Sequence, residues 1–453
     1  MTSVPSARDL VRPSDRRTPI AVAAIVLAAI SGFYLHRFYP ISDGAMFEFG
    51  GRAIARGERL YRDVWDNKLP GVFLVDALWQ RLFGERYALH AAAEVGVGLA
   101  VAAMTGAVAR GFGGPFAWTA ALCAVPLLVA SQQVNTTEMY ALVPLLGAVL
   151  CAQRGRGALA GALIGIAAFF WLPSLLVVAA LVAITPKRAP WVAAGCALTI
   201  VAGGAVFLAS YSIGDARQLL DSWLVYASAK RPPDHPKAGV LSPVLTFLNS
   251  CFISGVLAGI VYLSGRQLPP ERRRTVWTWF AASLAGTFVG TRFYDHYFLP
   301  TLPPLAVAIA LARPRANLYG RALAPAATAI VTFFLIRHIV DYERYWDDRG
   351  AHVRGVGAAV RTALGAGATL SLDDYEPALY LAADARLRTP VEIVARPNAT
   401  IAARYPVPAP PDLFIATKTT SGTEGRDVEV CAAAAPPWRL QVRPDLAGRF
   451  ACR

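Results

Sequence analysis

Charge is what this chain has least of. Only 16% of its 453 residues are Asp, Glu, Lys or Arg, where a soluble domain carries about a quarter. The shortage excludes an ordinary soluble globular domain: 55% of residues are hydrophobic and the mean hydropathy is +0.42, the signature of a multi-span membrane protein. Cysteine and histidine are scarce too, six of each, and no CxxC or His–Cys cluster marks a metal site. No carboxylate cluster in the sequence calls for Mg²⁺, so a divalent metal is not indicated, although the chemistry considered below would tolerate one. Internal repeats and extended low-complexity segments are missing, which leaves no sign of the duplicated halves common in transporters.

What the chain does have is a series of apolar runs, at 18–36, 87–109, 115–130, 138–152, 158–171, 173–185, 190–211, 240–264, 275–290, 298–312 and 322–340. The first, Thr18 to Leu35, is uncharged and just long enough to cross a ~30 Å hydrocarbon core. Arg8, Arg12, Arg16 and Arg17 precede it, so the positive-inside rule puts the N-terminal tail, 1–17, in the cytoplasm. A cleaved signal peptide is the alternative, but no clear small-x-small site precedes the Tyr/His/Arg-rich exit.

Alternating from that start, the cytoplasmic loops hold Arg110, Arg154, Arg156, Lys187, Arg188, Arg266, Arg272, Arg273, Arg274, Arg313, Arg315 and Arg321. With the N-terminal arginines these make 16 basic residues against three acids, Asp9, Asp15 and Glu271. Nearly all of the formal +14 therefore lies on one side. It is a topology signal, and nucleic-acid binding is not needed to explain it. This pattern requires 158–171 and 173–185 to be two short helices that turn at Trp171-Leu-Pro173; a single long helix would break it.

Four regions are more than lipid-facing helix: an outer loop at 37–86, the short outer loop Ser131–Glu138, an outer loop at about 212–239 ending in Arg231-Pro-Pro-Asp-His-Pro-Lys237, and the segment 341–453. The last reads as a small extracytoplasmic α/β domain. Val353, Val356, Val360 and Leu364 share helical spacing, and Tyr375–Ala383 reads as a second helix. Strand-like stretches lie at 368–372, Val391–Val394, Leu413–Thr417, Val428–Val430 and Leu440–Val442. Cys123, Cys151, Cys196 and Cys251 fall in spans as small apolar residues. Cys431 and Cys452 fall in the outer domain, where an oxidising compartment permits a disulfide.

The 37–86 loop is the most informative. Asp43 stands at the exit of the first span, with Ser42 as N-cap of a helix whose Phe47 and Ile54 would rest on the membrane surface, Arg52 and Arg56 outward. A second polar turn carries Asp63, Asp66 and Lys68. Farther on, Arg292, Tyr294 and His296 cluster at the outer end of a span, Glu138 opens another, and Glu94 is an acid inside a span, a costly position that calls for a partner such as a neighbouring arginine or a hydroxyl. Each has a plain explanation beside the functional one. An acid at a helix N-terminus is favoured by the dipole, an interfacial lysine snorkels, tyrosines form aromatic belts, and Asp63 and Asp66 can brace a loop.

In order and sidedness these stretches resemble the GT-C glycosyltransferases of bacteria related to protein O-mannosyltransferases, aminoarabinose transferases of lipid A and lipopolysaccharide galacturonosyl or mannosyl transferases. Tyr61-Arg-Asp-Val-Trp-Asp-Asn-Lys-Leu-Pro70 is similar to the family's Tyr-Arg-Asp-x-x-Asp-x-Lys-Pro-Pro. Arg292-Phe-Tyr-Asp-His-Tyr-Phe-Leu-Pro300 resembles its aromatic-His-Tyr-x-Leu-Pro stretch, and Asn135-Thr-Thr-Glu138 falls where the family often has a second acid. Two departures stand out: Leu69 replaces the first proline after the lysine, and Trp171-Leu-Pro173 occupies a loop that often carries a lysine.

The resemblance implies a polytopic membrane protein of about 11 transmembrane helices with residues 18–340 as its GT-C domain and 341–453 as the extracytoplasmic α/β domain. It implies an enzyme of the bacterial inner membrane that transfers a sugar from a polyprenyl-phosphate donor to a lipid, glycan or protein hydroxyl, without an obligatory metal. Such a transfer needs a base for the acceptor proton and cations for the departing phosphate. Asp43 is the implied base, and Lys68, Arg292, His296, Tyr294, Glu138 and Asp66 the implied donor and substrate contacts. A flippase for lipid-linked sugars and an inactive scaffold of the same fold are the alternatives. The concentration of polar groups at one interface argues against the first, and the presence of Asp43 against the second.

Overall fold

The structure is a computed structural model that describes residues 40, 42–114, 123, 135–214, 216–217, 220, 270–289, 295–311, 350–372, 377–385, 413–416, 428–430, 439–442 and 444–450. The expected runs at 18–36, 115–130 (Cys123 apart), 240–264 and 322–340, the turn at 231–237 and the stretch 391–394 lie outside the described residues, as do Cys251, Cys431 and Cys452. The chain divides into two compact units. One comprises Phe38–His90, Gly204–Lys237 and Asp341–Arg453; the other comprises Met1–Arg37, Ala91–Gly203 and Ala238–Val340.

In the first unit, α1 (Ser42–Ala55) starts where the sequence places it and packs along α2 (Pro70–Phe83), which opens on a proline whose missing N–H costs nothing at a first turn. The contact is close because α1 offers glycines to it. A Cβ on Gly51 would stand 2.7 Å from the Asp76 carbonyl carbon and 2.8 Å from the Ala77 nitrogen, and one on Gly50 would run into the Phe73 ring. Phe47 meets Phe73 edge to face at 5.5 Å and is buried.

This corrects the expectation of a surface helix. Phe47, Phe49 and Arg52 of α1 are all buried in protein, so the helix sits inside the unit instead of floating on lipid. Its hydrophobic face is covered by α2 and by the C-terminal segment, which gives even Arg52 buried acceptors.

That segment supplies α10 (350–364), α11 (Pro377–Ala382) and one sheet of β1 (Leu370–Leu372), β2 (Leu413–Ala416), β3 (Val428–Val430) and β4 (Arg439–Val442). The strand order is β1-β2-β4-β3, with β1 and β2 parallel in the register Leu370↔Leu413 and the other pairs antiparallel. Val353, Val356 and Val360 are buried, as their 3–4 spacing requires.

The described residues of the second unit are helical. Within it α4 (Thr137–Gln153) runs beside α5 (Gly157–Ala168). The chain then breaks at Trp171 and continues as a 3-10 turn at Leu172–Val177 and α6 (Val178–Ile184), so 158–185 is two short elements, as the arginine pattern demands. Next comes α7 (Ala189–Ala209), followed after the undescribed stretch by α8 (Pro270–Val289), a 3-10 turn at Asp295–Thr301 and α9 (Leu302–Leu311).

Small residues allow α5 and α7 to touch backbone to backbone. Gly161 faces the Val192 carbonyl, Gly195 faces that of Ala158, and Gly165 lies against Thr199, the small-xxx-small contact of membrane helices. The other side of α7 leaves Leu198, Val201 and Val206 exposed, as lipid-facing residues are. Among the described residues, α7 with its preceding turn (Pro186–Ala209) and α3 (Tyr87–Gly111) are long and apolar enough to cross a membrane. Cys123, Cys151 and Cys196 are buried free thiols, as expected of packing residues.

Candidate active site

Asp43 occupies the first turn of α1, where the helix dipole favours a carboxylate. Its Oδ2 lies 3.9 Å from Lys68 Nζ, with about a third of the aspartate and a fifth of the lysine side chain exposed. Of the residues singled out in the sequence, these two are brought together with reach to solvent left for both.

The loop between α1 and α2 explains how Lys68 is held. Asp66, buried, accepts from the Lys68 main-chain N–H at 2.8 Å, an Asx-type turn. Tyr61 donates its hydroxyl to the Lys68 carbonyl at 2.6 Å. Tyr61 itself is buried with φ 65°, a left-handed conformation that an aromatic residue adopts only when its surroundings impose it. A ladder bridge from Leu60 to Val64 closes the turn, and the Tyr61 ring meets Phe207 edge-on at 5.8 Å. Burial, and then the nearby Asp66 and Tyr211, push the Tyr61 phenol well above its ordinary value, so it stays a donor throughout the neutral range.

Asp63 braces the other end of the loop. Its Oδ2 accepts from the Arg59 N–H at 2.8 Å, and Arg62 reaches both carboxylate oxygens at 2.9 Å. Partial burial would raise the Asp63 carboxyl, but the Arg62 and Arg59 contacts outweigh it and hold the group below the usual carboxylate range. Asp66 and Asp63 thus shape the loop that presents Lys68.

Two networks fix α1, and the sequence reading missed both. Glu48 Oε1 lies 2.7 Å from His90 Nδ1, Gln80 donates to Glu48 Oε2 at 3.0 Å, and His90 Nε2 faces the Gly84 carbonyl at 2.8 Å. All three side chains are buried. The second network corrects the outward placement of the arginines. Arg52 donates to the carbonyls of Leu381 and Tyr380 at 3.2 and 3.1 Å and lies 3.2 Å from Asp384, while half-exposed Arg56 approaches Asp384 to 2.8 Å. A signal was available for Glu48 and His90 in the rule that buried charge seeks a partner. Nothing local in the sequence pairs residue 52 with residue 384.

In the helical unit, Glu138 stands in the first turn of α4, which Thr136 caps by accepting from Met139 N–H at 3.3 Å. Glu138 is buried, and its Oε2 has no hydrogen-bond partner among the described residues. Two residues on, Tyr140 donates to Glu94 Oε1 at 3.4 Å, so of the arginine or hydroxyl expected beside that acid the structure shows a hydroxyl. His296 sits in the 3-10 turn that packs against α4, its ring 4.7 Å from that of Tyr297. Arg292 and Tyr294 lie outside the described residues.

By sequence, the chain matches no protein-family model and no curated relative. By structure it is similar to ArnT from Cupriavidus metallidurans bound to undecaprenyl phosphate, with a TM-score of 0.63 at 14% identity, over 96% of this chain and 99% of that one. The oligosaccharyltransferase AglB from Archaeoglobus fulgidus, in complex with an inhibitory peptide and a dolichol-phosphate, matches with a TM-score of 0.49 at 11% identity, over 90% of this chain and 70% of that one. The likeness to ArnT shows the fold, which is the polytopic GT-C fold that the sequence resemblance implies.

Proposed function

We propose that the chain is a glycosyltransferase of the bacterial inner membrane that moves a sugar from a polyprenyl-phosphate donor to a cell-envelope hydroxyl, on a lipid, glycan or protein, at the extracytoplasmic face. The observation that carries this reading is the Asp43–Lys68 pair: a carboxylate on a buried helix 3.9 Å from a lysine whose main chain is held on both sides. A base for the acceptor proton and a cation for the departing phosphate are what the transfer needs.

In this reading Asp43 takes the proton of the acceptor hydroxyl as its oxygen attacks the anomeric carbon. The bond from that carbon to the phosphate oxygen breaks, the phosphate leaves with the electron pair, and the configuration inverts. Lys68 meets the departing phosphate as a point charge, with Arg292 as a second cation. Glu138, His296 and Tyr294 contact the substrate, and Asp66 acts through the backbone of Lys68. The N-terminus is cytoplasmic, about 11 helices span the membrane, and the C-terminal α/β segment lies outside.

The test is purified protein in lipid, incubated with a panel of polyprenyl-phosphate sugars, wild type beside Asp43→Asn. Release of polyprenyl phosphate by wild type and its loss in the variant, with donor binding retained, supports transfer and the assigned base. Equal release by both removes Asp43 from the mechanism. Translocation of a lipid-linked sugar without turnover of any donor would sink the transferase reading in favour of a flippase.

A further inference from the structure

Asp384 and Tyr61 are the two non-glycine residues with positive φ among those described. Tyr61 holds Lys68. Asp384 stands at the end of α11, where the chain closes a Schellman turn: Ala385 N–H donates to the Tyr380 carbonyl at 3.0 Å and Asp384 N–H to that of Leu381 at 3.2 Å. The residue after the cap in such a turn adopts the left-handed conformation and is commonly glycine, because a Cβ there is strained. This chain has an aspartate at φ 49°. An L residue kept in that conformation points to a use for its side chain.

The use is visible. Arg52 places both terminal nitrogens on the same two carbonyls, at 3.1 and 3.2 Å, with Asp384 Oδ1 3.2 Å from Nη1. Arg56, one turn on, brings Nη1 to 2.8 Å of the same carboxylate oxygen. Phe49 completes the grip, its ring 5.8 Å from that of Tyr380 and 5.4 Å from the Arg52 guanidinium carbon. Tyr380 in turn donates to the Leu370 carbonyl of β1 at 3.2 Å, and Gly357 of α10 lets the backbone of Ala382 approach. The hold on α1 is thus anchored in the C-terminal fold.

Asp43 and Arg52 ride on one helix, nine residues or about 14 Å apart, so a rotation or slide at Arg52 is carried to Asp43. Lys68 is held separately, by Tyr61 and Asp66. The Asp43–Lys68 separation of 3.9 Å is already long for an ion pair, so a small displacement of α1 would open it.

We propose that Asp384 and Arg52 are positioning residues of the active site, a clasp by which the C-terminal segment sets α1 and thereby places Asp43 against Lys68. This rests on the transferase reading for its kinetic consequence, though not for its geometry.

Asp384→Gly in the full-length protein separates the roles of backbone and carboxylate. Glycine suits the turn, so a capping role alone would leave stability equal or higher and turnover unchanged. The clasp instead requires kcat per folded enzyme to fall about tenfold or more, the order of loss that misplaced catalytic groups produce, with donor KM unchanged. Asp384→Asn, which tolerates the same backbone, should show the same split.

A second readout does not depend on activity: the rate at which an amine-acetylating reagent labels Lys68, followed by mass spectrometry. Loss of its aspartate neighbour should speed labelling in Asp384→Gly towards the rate in Asp43→Asn. Unchanged turnover and unchanged labelling in a folded Asp384→Gly protein would overturn the clasp. If wild type turns over no donor, the transferase reading fails, and the labelling rate alone decides the clasp, faster supporting it and unchanged overturning it.

Discussion

The Tyr61 hydroxyl donates to the main-chain carbonyl of Lys68 at 2.6 Å, across seven residues of a loop whose Asp66 accepts from the N–H of the same lysine at 2.8 Å. Lys68 is therefore gripped by its backbone on both sides, which leaves its ammonium group near Asp43 to interact. The tyrosine and the aspartates of the Tyr61-Arg-Asp-Val-Trp-Asp-Asn-Lys stretch make the scaffold that presents the lysine.

Tyr61→Phe keeps the ring and removes that bond. Leaving the Lys68 carbonyl short of a partner is expected to cost about 1–2 kcal/mol and, if Lys68 meets the donor phosphate as proposed, to raise donor KM more than it lowers kcat; steady-state kinetics with varied donor check this. The tyrosine also carries a pH signature. Its folded value is raised, so its contribution is complete below the unfolded value of about 10 and is lost as pH rises beyond it. Thermal unfolding measured from pH 8 to 11 should fall more steeply in wild type than in Tyr61→Phe.

Glu138 has a buried carboxylate oxygen that no described group satisfies. A buried carboxylate oxygen without a partner is costly to the fold, and such groups gather at functional sites. Glu138→Gln should leave the melting temperature equal or raise it while turnover falls at least about tenfold. A variant of full activity would remove Glu138 from the site.

His90 presents both ring nitrogens to acceptors, Glu48 at 2.7 Å and the Gly84 carbonyl at 2.8 Å. A neutral imidazole donates only once, so one further proton must lie between Nδ1 and Glu48, whichever partner holds it. His90→Leu strands Glu48 and should cost about 3 kcal/mol or more. His90→Gln, which keeps a donor, should cost less, and comparison of their thermal unfolding decides the point.

Gly51 and Gly96 form a matched pair. A Cβ on Gly51 meets the α2 backbone, whereas one on Gly96 meets nothing within 4 Å. Gly51→Ala should destabilise by about 1–3 kcal/mol through overpacking and reduce activity by shifting α1. Gly96→Ala should stabilise by about 0.5–1 kcal/mol through helix propensity. Equal unfolding temperatures for the two would refute the tight α1–α2 contact.

The sequence by itself determined what depends on local pattern. Apolar period and arginine placement required two short helices around Trp171, and the structure has them. Strand-forming stretches named β1 to β4 within a residue or two, because β-branched and aromatic runs between turn residues are local signals. Asp43 and Lys68 stood out as types, an acid at a helix start and a lysine after a polar turn, though 25 residues separate them. What the tertiary structure decided was which neighbours each side chain has. Arg52 looked like the outward face of an amphipathic helix, yet α2 and α11 enclose that helix, and Arg52 ends on two carbonyls and an aspartate more than 300 residues away. A helix shows its own periodicity in its residues; it does not show what will cover it. The burial of a charge, and therefore its role, is fixed only when the distant partner arrives.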